Sequence, residues 1–155
     1  MRHASAVLRR SLLLAAVVTS VSAQCLTAEV WRCPQCGCCG GWIDHLRAEG
    51  FMVTDRVVPS VAPFRRMLGT PAELSSSHAV RIAGMALEGH VPAHAIRAAL
   101  GEGLARIAGV AVPAMPIESP GMEVPGREAE PYDVIAWRPD GTQFVLPRMR
   151  GTAPA

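Results

Sequence analysis

From Glu29 onward the apolar positions mark short elements in quick succession. Glu29 to Arg32 reads as a short strand that runs straight into a group of cysteines. Between Cys38 and Glu49 the spacing turns helical: Trp42, Ile43 and Leu46 share a face, Asp44 and Arg47 lie off it, and Gly50 supplies a C-terminal stop. Phe51 to Val58 then predicts a strand with Phe51, Val53 and Val57 on one side. Strand, cysteine turn, helix, strand is the βαβ context in which a CxxC marks a thioredoxin-like redox or metal motif.

Further along, Ser60 can cap a second short helix carrying Val61, Phe64, Met67 and Leu68 and ended by Gly69. Ala79 to Ala83 and Met85 to Glu88 read as two strands around Gly84. Pro92 opens a helix over Ala93 to Leu100, with Ile96 and Leu100 facing inward and Gly101 beyond its end. Residues 101–131, rich in Gly and Pro, predict a long loop. Tyr132 to Trp137 and Thr142 to Leu146 flank Pro139-Asp140-Gly141 as a C-terminal hairpin, and the last residues are expected to fray. The expected fold is α/β: a thioredoxin-like βαβ core with a central sheet, flanking helices and a C-terminal β-hairpin.

The first residues follow a different grammar. Arg2, Arg9 and Arg10 precede the apolar run Leu12 to Val18, and Val21-Ser22-Ala23 is a small-x-small cleavage signal. An exported protein cut after Ala23, or after Ala28 at Leu26-Thr27-Ala28, is the expectation, by either the general or the twin-arginine route. The apolar run is shorter than the roughly 20 residues that span a bilayer, so no stable membrane anchor is expected. Residues 24–155 then form a single domain. The chain carries a formal charge of +2, and losing those three arginines leaves the remainder close to neutral, which gives no electrostatic case for nucleic-acid binding.

Four of the five cysteines crowd into Cys33-Pro34-Gln35-Cys36-Gly37-Cys38-Cys39. Bridges within so short a run close small loops and stabilise little, which points to metal or redox chemistry ahead of a disulfide framework. Soft thiolates select Cu(I), Zn(II) or iron–sulfur clusters. Structural zinc takes four ligands from two separated pairs, and no second cysteine pair exists here. Cu(I) accepts two or three thiolates, so Cys33, Cys36, Cys38 and Cys39 favour copper, singly or as a cluster. A helix beginning near Cys38 would set the cysteines at its N-terminus, where the dipole favours thiolates. That serves metal capture and thiol exchange equally. His78 and His90, at the edges of predicted strands, and the thioethers Met115 and Met122, in a Pro/Gly loop, are further candidate ligands; His45 and His94 read as solvated helix residues.

These residues together resemble a family of small exported bacterial proteins, catalogued as a domain of unknown function and including CopG-like proteins found with copper-resistance genes. The matching segments are Cys36-Gly37-Cys38-Cys39-Gly40 with Trp42, then His78, Glu88-Gly89-His90-Val91-Pro92-Ala93, Ala111-Val112-Pro113, Met115-Pro116, Ser119-Pro120-Gly121-Met122 and Pro131-Tyr132-Asp133-Val134. They extend over about residues 30–140. The resemblance implies a thioredoxin-like fold, copper bound through cysteines, redox activity in periplasmic copper handling, and a cis-proline at Val112-Pro113. The chain also departs from that pattern. Family members typically carry a cysteine where Ser77 stands, and the position of Cys33 is commonly not cysteine. Cys33 is thus the available substitute for a sulfur missing at position 77.

Three functions compete. One is a periplasmic copper-binding protein, working with other periplasmic copper-handling proteins. A second is a thiol-disulfide oxidoreductase in which Cys33 attacks and Cys36 resolves. The third is an interaction protein stapled by disulfides.

Overall fold

Parallel neighbours in a sheet need a crossover, usually a helix, and this chain makes two of them. The computed structural model describes residues 25–103 and 105–155, so the leader pattern over 1–23 lies outside the described residues. Strand β1 (Thr27–Arg32) passes through the cysteine turn into helix α1 (Cys39–Ala48) and returns as β2 (Met52–Val57), parallel to β1. Helix α2 (Ala62–Leu68) and a 3-10 turn (Ala72–Leu74) lead to the hairpin of β3 (His78–Ile82) and β4 (Met85–Glu88). Its two turn residues, Ala83 and Gly84, both take positive φ, as the tight hairpin turn demands. Helix α3 (Ala93–Glu102) carries the chain over to β5 (Gly109–Ala111), parallel to β4. After β6 (Pro131–Tyr132) come the hairpin β7 (Ile135–Trp137) and β8 (Gln143–Val145), then β9 (Met149–Arg150) and β10 (Ala153–Pro154). The main sheet runs β2-β1-β3-β4-β5-β7-β8, and a small second sheet runs β10-β9-β6. The molecule is mixed α/β.

The amphipathic faces settle how the layers stack. Trp42, Ile43 and Leu46 of α1 and Ala95, Ile96 and Ala99 of α3 bury against Val30, Val80, Ile82, Leu87 and Val110 of the sheet. The two helices are neighbours, since the Ala93 N–H donates to His45 Nε2 at 3.1 Å and Trp42 Nε1 donates to the Val91 carbonyl at 2.9 Å. His45 is therefore half-buried and bonded, where solvation was expected, whereas His94 is exposed. On the opposite face Trp31 stacks on Phe64 of α2, and Ala86, Ala111 and Trp137 pack under Leu74.

Four expectations change. The 101–131 segment holds β5, which pairs with both β4 and β7; α3 runs on through Gly101 to Glu102. The C-terminus does not fray: β9 pairs with β6 and β10, and Met149 is buried. Strand β2 is an edge strand: of its predicted inner side Phe51 is buried and Val53 packs against the core, but Val57 is 54% exposed. Every peptide bond among the described residues is trans, including Val112–Pro113, in place of the cis bond that the resemblance implied.

Candidate metal centre

The sheet register brings distant residues to one end of the molecule. β1 and β3 are antiparallel with Arg32 opposite His78, so the first residue of β3 emerges beside the last residue before Cys33. At the neighbouring end of β4, Glu88 pairs with Ala79, and the chain turns through Gly89 (φ +71°) to present His90. Only glycine fits that turn, because a Cβ at position 89 would meet the Val112 carbonyl oxygen at 2.5 Å.

The cysteines enter from β1. The Cys36 N–H donates to the Cys33 carbonyl at 3.2 Å, closing a turn that delivers Cys38 to the N-cap of α1 and Cys39 to its first residue. A disulfide joins Cys36 to Cys39, with Cα atoms 5.6 Å apart. The bridged CxxC is therefore the second of two overlapping ones, and the Cys33–Cys36 redox pair suggested by spacing is not the pair formed. The physical reason is where the helix begins: Cys36 and Cys39 straddle its N-terminus, and Cys33 is left one turn upstream. Cys38 keeps a free thiol, with Sγ 3.9 Å from Cys36 Sγ and 3.9 Å from Met115 Sδ.

Both histidines are fully buried. His78 Nδ1 lies 3.2 Å from Cys39 Sγ and 3.1 Å from Ser77 Oγ, and its ring packs on Trp42 with centroids 4.5 Å apart. His90 Nδ1 donates to the Pro120 carbonyl at 2.6 Å, since a carbonyl only accepts. The two imidazoles stand 5.3 Å apart. Burial pushes His78 from the ordinary 6.5 down to about 3, with His90 and Arg65 adding to the shift. Burial also lowers His90, against the opposing bond to Pro120. At neutral pH both rings are uncharged, the form that ligates metals.

Three observations test whether these residues suit a soft metal. His78 Nε2 and His90 Nε2 are buried without a hydrogen-bond partner, which buried polar atoms rarely tolerate. Since Nδ1 of His90 carries its proton, Nε2 holds a free lone pair. Donor atoms also converge, in the sets Cys36/Cys39/His78 and Cys38/Cys39/His90, each with its members within 4.8 Å of one another. Sulfur and imidazole are the donors that suit copper and zinc, and no carboxylate belongs to either set. The residues fit. Reduction of the Cys36–Cys39 bridge is required before those two sulfurs can act as thiolates.

The loop over 113–122 covers this end. Ala114, Met115 and Glu118 all take positive φ, a strained backbone for non-glycine residues, and the turn sets Met115 against Cys38. Gly121 lies so close to α1 that a Cβ there would stand 2.5 Å from Trp42 N and 2.9 Å from the Cys38 carbonyl. Of the candidate residues, Cys36, Cys38, Cys39, His78, His90 and Met115 are thus gathered together. Cys33 belongs to neither donor set, and Met122 is tied in by its backbone, through Ser119 and Glu118. Sequence reading did not single out Trp42 as the floor under His78, nor the Pro120 carbonyl that fixes the His90 tautomer. Pro120 lies within a matching segment, but a backbone acceptor leaves no trace in side-chain pattern.

A family model described as "Protein of unknown function, DUF411" matches residues 74–122, which hold both histidines, Met115 and Met122. A search of curated proteins gives no match. Two solved structures are similar over nearly their whole length. "Copper resistance protein copG- Form 2" is 40% identical with a TM-score of 0.75, covering 81% of this chain and 99% of that one. "Copper resistance protein copG- Form 1" is 39% identical with a TM-score of 0.75, covering 83% and 100% respectively. A mixed α/β protein with a sulfur–imidazole centre at one end of its sheet is the class that fold and site define. The chain belongs to the CopG-like copper-resistance family.

Proposed function

We propose that this is a periplasmic copper-binding protein that holds Cu(I) at the end of its sheet, through Cys36, Cys38 and Cys39 with His78 and His90, and takes part in copper handling or resistance. The observation that carries the reading is the convergence of two buried imidazoles on three clustered cysteine sulfurs, with His78 Nδ1 3.2 Å from Cys39 Sγ and Nε2 of His90 left without a partner. Cu(I) is favoured over zinc because the sulfurs come from one short run, where structural zinc draws cysteines from two separated pairs, and because Cu(I) accepts as few as two or three soft donors. Met115 is placed to offer a thioether from the surface side of Cys38. The two similar solved structures are copper resistance proteins by name, which supports the same ion.

The core is read as thioredoxin-like. Supporting this are the parallel β1-α1-β2 unit, the antiparallel β3–β4 hairpin followed by α3, and the order β2-β1-β3-β4. Export rests on the leader pattern. Ala28 is buried within β1, so cleavage after Ala23, which leaves that strand whole, is the better of the two sites.

One observation favours a second reading, thiol-disulfide exchange: the Cys36–Cys39 bridge straddles a helix N-terminus. Chelator competition on the reduced protein separates the two, run in parallel for Cu(I) and Zn(II) beside an insulin-reduction assay. The proposal expects Cu(I) retained far more tightly than Zn(II) and little insulin reduction. Tighter zinc retention, or fast insulin turnover without copper binding, would overturn it.

A further inference from the structure

Glu88 is the only fully buried acidic side chain among the described residues, and it belongs to neither donor set of the candidate centre. It ends β4, two residues before His90. Arg65 of α2 donates from Nε to both of its carboxylate oxygens, at 2.9 and 3.1 Å, and burial raises the Glu88 pKa while the Ser76 N–H and Arg65 oppose that shift. The Ser76 N–H donates to the same carboxylate at 3.0 Å, and Arg65 Nη2 donates to the Ser76 carbonyl. Both backbone polar groups of Ser76 therefore end on this one ion pair. Ser76 is also pressed against the Gly89 turn, where an added Cβ would come within 2.8 Å of its hydroxyl.

Immediately after Ser76 stand Ser77 and His78, the residues in contact at Nδ1 beside Cys39. A buried ion pair is a poor route to stability, since well-packed apolar residues often do as well or better. What this pair does that apolar residues cannot is hold one residue by both its N–H and its carbonyl, and so fix the two peptide units that flank it. We propose that Arg65 and Glu88 are positioning residues: they clamp Ser76 and so fix the distance of His78 from Cys39. The inference deepens the copper reading and rests on it for one of two readouts; the other concerns the disulfide alone.

With the clamp released, His78 no longer supports the Cys39 sulfur in its reduced form, so the bridge becomes harder to reduce. The test uses Glu88→Gln, which keeps shape but removes the charge, and Arg65→Lys, which keeps charge but loses the fork. The measurements are the equilibrium of the Cys36–Cys39 bridge with glutathione and Cu(I) affinity by chelator competition, with circular dichroism reporting the fold. Glu88→Gln should remain folded and shift the glutathione equilibrium toward the disulfide by about three- to tenfold, the worth of one hydrogen bond. Its Cu(I) affinity should fall by about 10–100-fold, as when an outer partner of a metal ligand is lost. Arg65→Lys should move both in the same direction by less.

A lower melting temperature with both site readouts unmoved would overturn the proposal and leave a merely structural pair. If Glu88→Gln fails to fold, Arg65→Lys decides, and an unchanged glutathione equilibrium in that variant overturns it. If the parent protein binds no Cu(I), the copper reading fails, while the glutathione equilibrium still decides whether the clamp positions His78.

Discussion

At the scale of single residues, the two histidines carry most of the inference. His78 is enclosed by Trp42, His90, Ser77 and Cys39, and burial keeps its ring neutral far below the usual range. A group whose folded pKa is depressed favours folding fully above its unfolded pKa. For His78, stability is therefore complete above about 6.5 and is lost progressively as pH falls toward about 3. Metal-free protein should lose stability across that window in denaturant titrations, and His78→Gln should flatten the slope. An equal slope in the variant would place the acid sensitivity elsewhere. His90 answers a different question, because Pro120 fixes its tautomer and leaves Nε2 free. His90→Ala should lower Cu(I) affinity by about tenfold or more, at least the effect of losing an outer partner, with the fold retained by circular dichroism.

At the scale of elements, the centre exists because three pieces end together: the β1–α1 turn, the start of β3 and the exit of β4, with the 113–122 loop laid across them. Gly121 is the latch of that loop. With φ at +80° and no room for a Cβ against α1, Gly121→Ala should destabilise by about 1–3 kcal/mol. It should also weaken Cu(I) binding by displacing Pro120 from His90. Thermal melts and chelator competition read the two effects, and a variant that melts lower yet binds copper as the parent does would detach the loop from the site.

Much of this was legible in the sequence, for physical reasons that differ by element. Helix α1 announced itself through Trp42, Ile43 and Leu46, and the hairpin β7–β8 through Pro139-Asp140-Gly141. The clustered cysteines stood out because thiols so crowded do little as loop closures. Strand β5 was invisible: Gly109-Val110-Ala111 is short and buried on both faces, so no alternation marks it. The choice between two overlapping CxxC pairs was equally hidden, since it depends on the residue at which α1 begins. The buried Arg65–Glu88 pair joins two elements far apart in sequence, and no periodicity records such a contact.

At the scale of the whole molecule, one end of a mixed sheet gathers Cys36, Cys38, Cys39, His78, His90 and Met115, whereas Cys33 belongs to neither donor set. The idea that Cys33 stands in for a sulfur missing at position 77 finds no support in the geometry, because Cys33 joins neither donor set while Ser77 lies against His78. Cys33→Ser should accordingly bind as much copper as the parent, whereas Cys39→Ser, which removes the sulfur common to both sets, should lose most of it. Copper-to-protein ratios on reduced samples check this. The central claim is that cysteine sulfur and imidazole nitrogen together hold the ion. X-ray absorption at the copper edge, on reduced protein loaded with Cu(I), tests it most directly. The account predicts a first shell dominated by sulfur, with the outer-shell scattering of imidazole that disappears in a His78→Ala/His90→Ala variant. A first shell of oxygen and nitrogen without sulfur would contradict it.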